Sequence, residues 1–398
     1  MVGYGNGNSR EEFWPLDVMI NILKRVPVKS LIRFKCVAKD WGELFKTPYF
    51  IAQHLHHSAS NNSYLLLQRI PEPYHQSHPF TFSTCLIGPD LKIHNPQFID
   101  FTSPTAKIVG SCNGLWCVRH TDHAKLSLWN PATRQVRQVP GTLIDIKNSY
   151  HIGFGFSPVI NDYKIVRISV SEFDDEDQIV VLDNDVRSHR AEVYSLTTGS
   201  WKEIDAINLQ NLYFISNSVT ANGAVFWEAT MTSDSESDPD PEFVVSFDIA
   251  QEVFTLIKGP PPPPSPTHSY SDTIAVYNNK LTMFRHFVMG NFESSSIDLW
   301  VLENTHTCAT GESWIKNYSV GPFSRILYPL SIWRDEILCR VELPRHVDEY
   351  NGVGTVLSLF NPSSNELKKL PTHKHEFYYL SFNYAESLVP VDNIHYEQ

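Results

Sequence analysis

Leu126-Ser127-Leu128-Trp129-Asn130-Pro131-Ala132-Thr133-Arg134-Gln135-Val136-Arg137-Gln138-Val139-Pro140 reads as an apolar strand, a polar turn and a second strand closed by proline. The same grammar returns at Ala191-Glu192-Val193-Tyr194-Ser195-Leu196-Thr197-Thr198-Gly199-Ser200-Trp201-Lys202-Glu203-Ile204, from Val244 to Pro260 and from Val356 to Pro371, with a looser copy from Ile297 to Tyr318. Anchors at Asn130, Ser195, Asp248, Val301 and Asn361 lie 65, 53, 53 and 60 residues apart. A second hairpin precedes the copies. Asn113-Gly114 and Asn222-Gly223 carry the two-residue turn signal, and turns also fall at Asn278-Asn279 and near Arg334-Asp335.

Two hairpins per unit make four strands, the content of one propeller blade. Five units can be counted. A sixth hairpin, Phe377–Phe382 with Ser387–Val391, runs out of chain, and strands near Tyr64–Gln68 and Phe80–Leu86 complete it from the N-terminal side. Such closure leaves no free sheet edge. The expectation is a six-bladed propeller over residues 60–391; an irregular pair of β-sandwiches fits periods this uneven as well.

The first sixty residues read differently. Met19, Ile22, Leu23 and Val26 recur at helical spacing after Pro15 and Asp17, and Pro27 ends that helix. A second helix from Val28 carries Leu31, Phe34, Ala38 and Trp41, and a third short segment holds Leu44 and Phe45 before a break at Pro48. Three short helices cannot hide so many large apolar groups within themselves, and burying each is worth roughly 1.5–3 kcal/mol. They pack on the chain's own β domain or they receive a partner; the pattern alone leaves both open. The whole is an α+β multidomain chain: a flexible N-terminus at 1–10, a three-helix module at 11–57, the all-β propeller-like domain at 60–391 and a tail at 392–398.

With 42% hydrophobic and 19% charged residues, the composition is that of a soluble globular protein. No apolar run reaches the roughly 20 residues that span a bilayer, and the start lacks a signal peptide's apolar core. Cytosol or nucleus follows as the expected location. The six cysteines form no C-x-x-C pair and read as small buried hydrophobes. Residues 1–60 are net basic, so the remainder is more acidic than the total of −12. That distribution argues against nucleic acid as a partner.

The string Trp14-Pro15-Leu16-Asp17, then Ile20-x-Ile22-Leu23-Lys24-Arg25-Val26-Pro27-Val28-Lys29-Ser30-Leu31, then Arg33-Phe34-Lys35-Cys36-Val37-x-Lys39-x-Trp41 closely resembles the F-box of plant F-box proteins. Trp14 and Val26 stand where Leu is usual there. Ser111-Cys112-Asn113-Gly114-Leu115 and Leu128-Trp129-Asn130-Pro131-Ala132-Thr133 likewise resemble the F-box-associated domain of that family, and within it the chain looks most like the S-locus F-box and S-locus F-box-like group. The resemblance implies a non-catalytic substrate-recognition subunit of a Skp-cullin-F-box (SCF) ubiquitin ligase. The F-box would bind a Skp-type adaptor, and through it a cullin and a RING subunit, while the β domain holds a protein substrate. Carried over by position, Pro15, Leu16, Ile20, Leu23, Pro27, Val28, Leu31, Phe34, Val37 and Trp41 would form or support the adaptor face, with Phe34 and Trp41 as its hot spots. For the S-locus group, basic secreted S-type ribonucleases would be the substrates.

Enzyme readings find little support. Ser195-x-Thr197-x-Gly199-Ser200-Trp201 puts Thr where a sialidase-type turn needs Asp, and there is no G-x-S-x-G elbow, H-E-x-x-H helix or P-loop. No cofactor or metal is implied, and His54, His56, His57, His373 and His375 read as surface residues. The paired glycines of kelch repeats and the Trp-Asp ends of WD repeats are missing. Two acidic stretches, Glu172, Asp174, Asp175, Glu176 and Asp177 in one unit and Asp234, Glu236 and Asp238 in the next, read as solvated loops or as a rim that steers a basic substrate. The five prolines from Pro260 to Pro264 read as a stiff linker between blades. The rival functions are a propeller that binds protein without driving ubiquitination and, from another class, a propeller hydrolase.

Overall fold

The computed structural model describes residues 14–70, 82–94, 106–120, 125–144, 150–171, 188–215, 217–231, 242–263, 269–289, 294–303, 313–343, 355–372 and 378–392. Four helices open it: α1 (Leu16–Leu23), α2 (Val28–Phe34), α3 (Lys39–Leu44) and α4 (Pro48–Asn61). The sequence reading stops at Pro48 and passes over α4. A proline fits the first helical position because its missing N–H would be unpaired there anyway. Thr47 supplies the cap, its Oγ1 accepting the Phe50 N–H at 3.3 Å.

Strands β1 (Tyr64–Ile70), β2 (Ser83–Ile87) and β3 (Ile93–His94) follow. Blade 1 is β4 (Ala106–Cys112), β5 (Leu115–His120), β6 (Leu126–Asn130) and β7 (Gln135–Gln138). Blade 2 is β8 (Tyr150–Ser157), β9 (Asp162–Ser171), β10 (Ser188–Ser195) and β11 (Ser200–Ile204). In blade 3 the inner position is split between β12 (Leu212–Phe214) and β13 (Val219–Ala221), which both pair with β14 (Ala224–Met231); β15 (Glu242–Asp248) and β16 (Val253–Lys258) complete it. Blade 4 is β17 (Ser269–Tyr277), β18 (Lys280–Met289), β19 (Ser294–Glu303) and β20 (Ser313–Phe323), and blade 5 is β21 (Leu327–Trp333), β22 (Glu336–Glu342), β23 (Thr355–Asn361) and β24 (Glu366–Lys369). The last strand, β25 (Tyr378–Tyr384), pairs antiparallel with β1, Tyr64 opposite Tyr384, and makes blade 6 with β1 to β3. Six blades, closed by strands from both ends of the chain, are what the repeat predicts; five are four-stranded, and the split inner strand gives blade 3 a fifth.

The recurring grammar has a local cause. Asn130 Oδ1 accepts the N–H groups of Ala132 and Thr133, Asp248 those of Ala250 and Gln251, and Asn361 those of Ser363 and Ser364, all at 2.8–3.2 Å. Ser195 Oγ accepts from Thr198. Each of these turns ends on a residue at positive φ: Arg134, Gly199, Glu252 or Asn365. A short side-chain acceptor thus folds the outer hairpin of blades 1, 2, 3 and 5. Tryptophans then tie neighbouring blades, with Trp201 Nε1 donating to Pro140 O and Trp314 Nε1 to Lys258 O.

One strand assignment is overturned. Ser387–Val391 forms no strand; it runs as a buried extended segment beside blade 1. Asn130 Nδ2 donates to the carbonyls of Ser387 and Val389 at 3.0 and 2.7 Å, and Arg137 donates to that of Val391. Side chains satisfy backbone groups that a partner strand would otherwise take. The proline run also gains a role. Between blades 3 and 4, Arg285 donates to Pro260 O and Pro261 O while pairing with Asp272 at 2.7 Å, so the start of the run is pinned.

Candidate adaptor and substrate surfaces

The helices face two ways. Ile20, Leu23, Val28, Leu31, Phe45, Phe50 and Ile51 share one buried cluster with Leu388, Val389 and Val391 and with residues of blades 1 and 2. Glu386 accepts the Val28 N–H at 3.1 Å, and burial pushes its carboxyl above the usual range. A cavity of about 260 Å³ separates Ile51 and Leu55 of α4 from Tyr163, Leu196 and Val389. Of the two packing options left open by the sequence, docking on the propeller is therefore real, but it uses only one side of the helices. Trp14 (68% exposed), Leu16 (55%), Ile22 (56%) and Val37 (73%) remain at the surface.

The ten positions expected at the adaptor face divide accordingly. Ile20, Leu23, Val28 and Leu31 lie in the core; Pro15, Leu16, Pro27 and Val37 are exposed; Phe34 and Trp41 are half-buried against each other, ring centroids 5.6 Å apart. Ile22, read from sequence only as part of the helical stripe, is as open as Leu16. Two surface and core readings need correction. His54 is buried, because its Nε2 meets the Val26 carbonyl at 3.0 Å and its ring packs on Phe50. Burial holds its pKa below the usual histidine value. Cys36 is exposed, whereas burial pushes the thiols of Cys85 and Cys112 up to about 11 and 12. His373, His375 and Cys308 lie outside the described residues.

The tight turns Asn113-Gly114 of an inner hairpin and Leu196-Thr197 of an outer one face α4, so the hairpin turns mark the F-box end of the propeller. The strand starts at Lys107 and Tyr150 mark the other end. Between them runs a channel of about 310 Å³, lined by Ser111, Thr220, Thr273, Ser331, Ser381 and Asn383 among others. Its hydroxyls bridge three of the blade junctions: Ser111 donates to Asn383 O, Thr220 to Phe154 O and Ser381 to Ser331. At the far end a second cavity, about 230 Å³, gathers Lys107, Arg119, Tyr150, His151 and Trp227 around the break in blade 3 at Ile215, Asn217 and Ser218. No sequence motif singles out these residues; they come from three blades. Glu172, Asp174, Asp175, Glu176, Asp177, Asp234, Glu236 and Asp238 lie outside the described residues, though the strand ends flanking them are at this same end. Among the described residues no three His, Cys, Asp or Glu side chains gather as a metal site, and no helix is long and apolar enough to cross a membrane.

Comparison with known proteins agrees with this architecture. Residues 14–53 match the F-box domain, and residues 71–328, more than half of the chain, match the F-box associated beta propeller domain. A putative F-box/kelch-repeat protein of Arabidopsis thaliana is 27% identical, over 73% of this chain and 71% of its own. The Arabidopsis F-box protein CPR1 is 24% identical over 77% and 72% of the two chains, and a further F-box protein of that species is 26% identical over 93% and 90%. A helical F-box docked on a six-bladed propeller, with both parts matched, places this chain in the family of plant F-box proteins that carry an F-box associated beta propeller domain.

Proposed function

We propose that this chain is the substrate-recognition subunit of an SCF-type ubiquitin ligase. The observation that carries the reading is the two-sidedness of the F-box: its inner side is buried on the propeller, yet Trp14, Leu16, Ile22 and Val37 stay exposed. Exposed apolar groups on an otherwise folded module mark a place for a partner. A Skp-type adaptor fits the family, with Phe34 and Trp41 supporting the contact and Ile20, Leu23, Val28 and Leu31 holding the helices in shape. The propeller then presents a protein substrate at its far end, and transfer chemistry belongs to other subunits; this chain contributes proximity. The finer reading, an S-locus F-box protein acting on basic S-type ribonucleases, has the general likeness of both domains behind it and no diagnostic motif.

The test is capture of a plant Skp-type adaptor by the full chain and by a Leu16→Asp, Val37→Asp variant. Both positions are exposed, so circular dichroism should be unchanged while capture falls by about tenfold or more, as for interface anchors. Equal capture by folded variant and wild type would sink the assignment of this face.

A further inference from the structure

Among the described residues, the lining of the far-end cavity includes the cations Lys107 and Arg119 and no carboxylate. Lys164, Arg167 and Arg285, the most deeply buried cations among the described residues, each sit against a carboxylate: Glu252, Glu192 and Asp272. Lys107 and Arg119 have no such partner among the described residues. The Lys107 ammonium donates only to Asn217 Oδ1, at 3.2 Å. Arg119 Nε is buried with no hydrogen-bond partner, and its guanidinium lies 5.2 Å from the centroid of the Tyr150 ring. Burial, and then the neighbouring Arg119, bring the Lys107 pKa down to about 8. An uncompensated charge in a partly dry cavity is costly, and an incoming anion relieves the cost.

We propose that this mouth is an oxyanion site, which takes a carboxylate or phosphate group borne by a peptide segment of the bound protein. The oxygens would accept charge-assisted hydrogen bonds from Lys107 Nζ and the Arg119 guanidinium, the strong kind of polar contact. The break between β12 and β13 supplies the opening, since a continuous inner strand would fill it. Asn217 and Ser218 line both this cavity and the channel, so the residues flanking the anionic group have room to follow. The proposal rests on the substrate-recognition reading and names its substrate class: an acidic or phosphorylated segment, the opposite charge to the one an acidic rim would steer.

The full chain is titrated calorimetrically with three probes: inorganic phosphate, capped Gly-phosphoserine-Gly and capped Gly-Glu-Gly. At least one peptide binds, and a Lys107→Met, Arg119→Met variant binds it about tenfold or more weakly, the scale of losing a charged hydrogen bond. Binding of neither peptide at millimolar concentration overturns the proposal, as does binding of phosphate alone, which would mark a free-anion site. Thermal unfolding without probe separates ligand binding from a structural role. Lys107→Met leaves the Tm unchanged or higher, because it removes an uncompensated charge; a marked fall would mean that the fold itself uses this cation and would overturn the site. Adaptor capture is scored on the same preparations, so loss of capture with peptide binding intact counts against the ligase reading alone.

Discussion

The two ends of the propeller are built from opposite materials. At the F-box end the chain turns in two to four residues, and short acceptors close the turns: Asn130, Ser195, Asp248 and Asn361 take N–H groups, while Asp162 takes the Thr197 N–H and the Ser195 hydroxyl. At the far end the connections run as long as residues 172–187, and basic side chains gather there: half-buried Lys107, Arg119 and His151 with buried His189 and His286. Tight turns leave N–H groups pointing inward from a sharp bend, so they select small acceptors of fixed reach. Long connections impose no such demand, and side chains there are free to serve a ligand. One end is specified by local geometry; the other is left free of that demand.

The largest test of that contrast is at Asn130. Its side chain closes a turn and also holds the Ser387 and Val389 carbonyls, all within the buried core. Asn130→Ala is expected to cost about 3–5 kcal/mol in denaturant unfolding, since two buried carbonyls lose their donors. Asn361→Ala breaks the same type of turn at a more open site, where Nδ2 reaches only Glu336, and should cost about 1 kcal/mol. Similar costs at both positions would mean that the C-terminal segment does not depend on Asn130.

Acid should strike the far end. Burial lowers the pKa of His286 to about 4, and burial with the nearby His189 and Lys107 does the same to His151. The unfolded chain takes up these protons near 6.5 and the folded chain does not, so stability is full above about pH 6.5 and falls as pH drops toward 4. His286, its ring tilted against Tyr328 and only 2% exposed, gives the cleaner readout. His286→Gln should flatten this part of the stability profile by about 2–3 kcal/mol at pH 4. A profile unchanged by the substitution would show that His286 already carries its proton in the fold.

How far the sequence reaches follows the same division. The F-box string and the capped turns are written within a few adjacent residues, so helices, hairpins and the six-blade count are legible. Three features depend on distant partners and are not: α4 behind Pro48, the path of 387–391 under the Asn130 side chain, and the burial of His54 against Val26. The cationic mouth is the furthest from view. Lys107, Arg119 and His151 stand on separate strands, and nothing in their spacing shows that blade 3 breaks beside Asn217 to bring them together.

The smallest expected effect sharpens the local half of the contrast. Four inner turns place both central residues at positive φ: Asn113-Gly114, Asn222-Gly223, Asn278-Asn279 and Arg334-Asp335. That backbone matches the right-handed strand twist and favours Asn-Gly. Arg334 (φ 51°) and Asp335 (φ 63°) adopt it without the usual residues, and Arg334 keeps only a contact over Trp333, at 5.8 Å. Arg334→Asn with Asp335→Gly should raise stability by up to about 1 kcal/mol, as the strained φ values relax and little is lost. A loss of stability instead would show that this turn serves more than its own geometry. It would then resemble the far end, where residues are kept for what they touch.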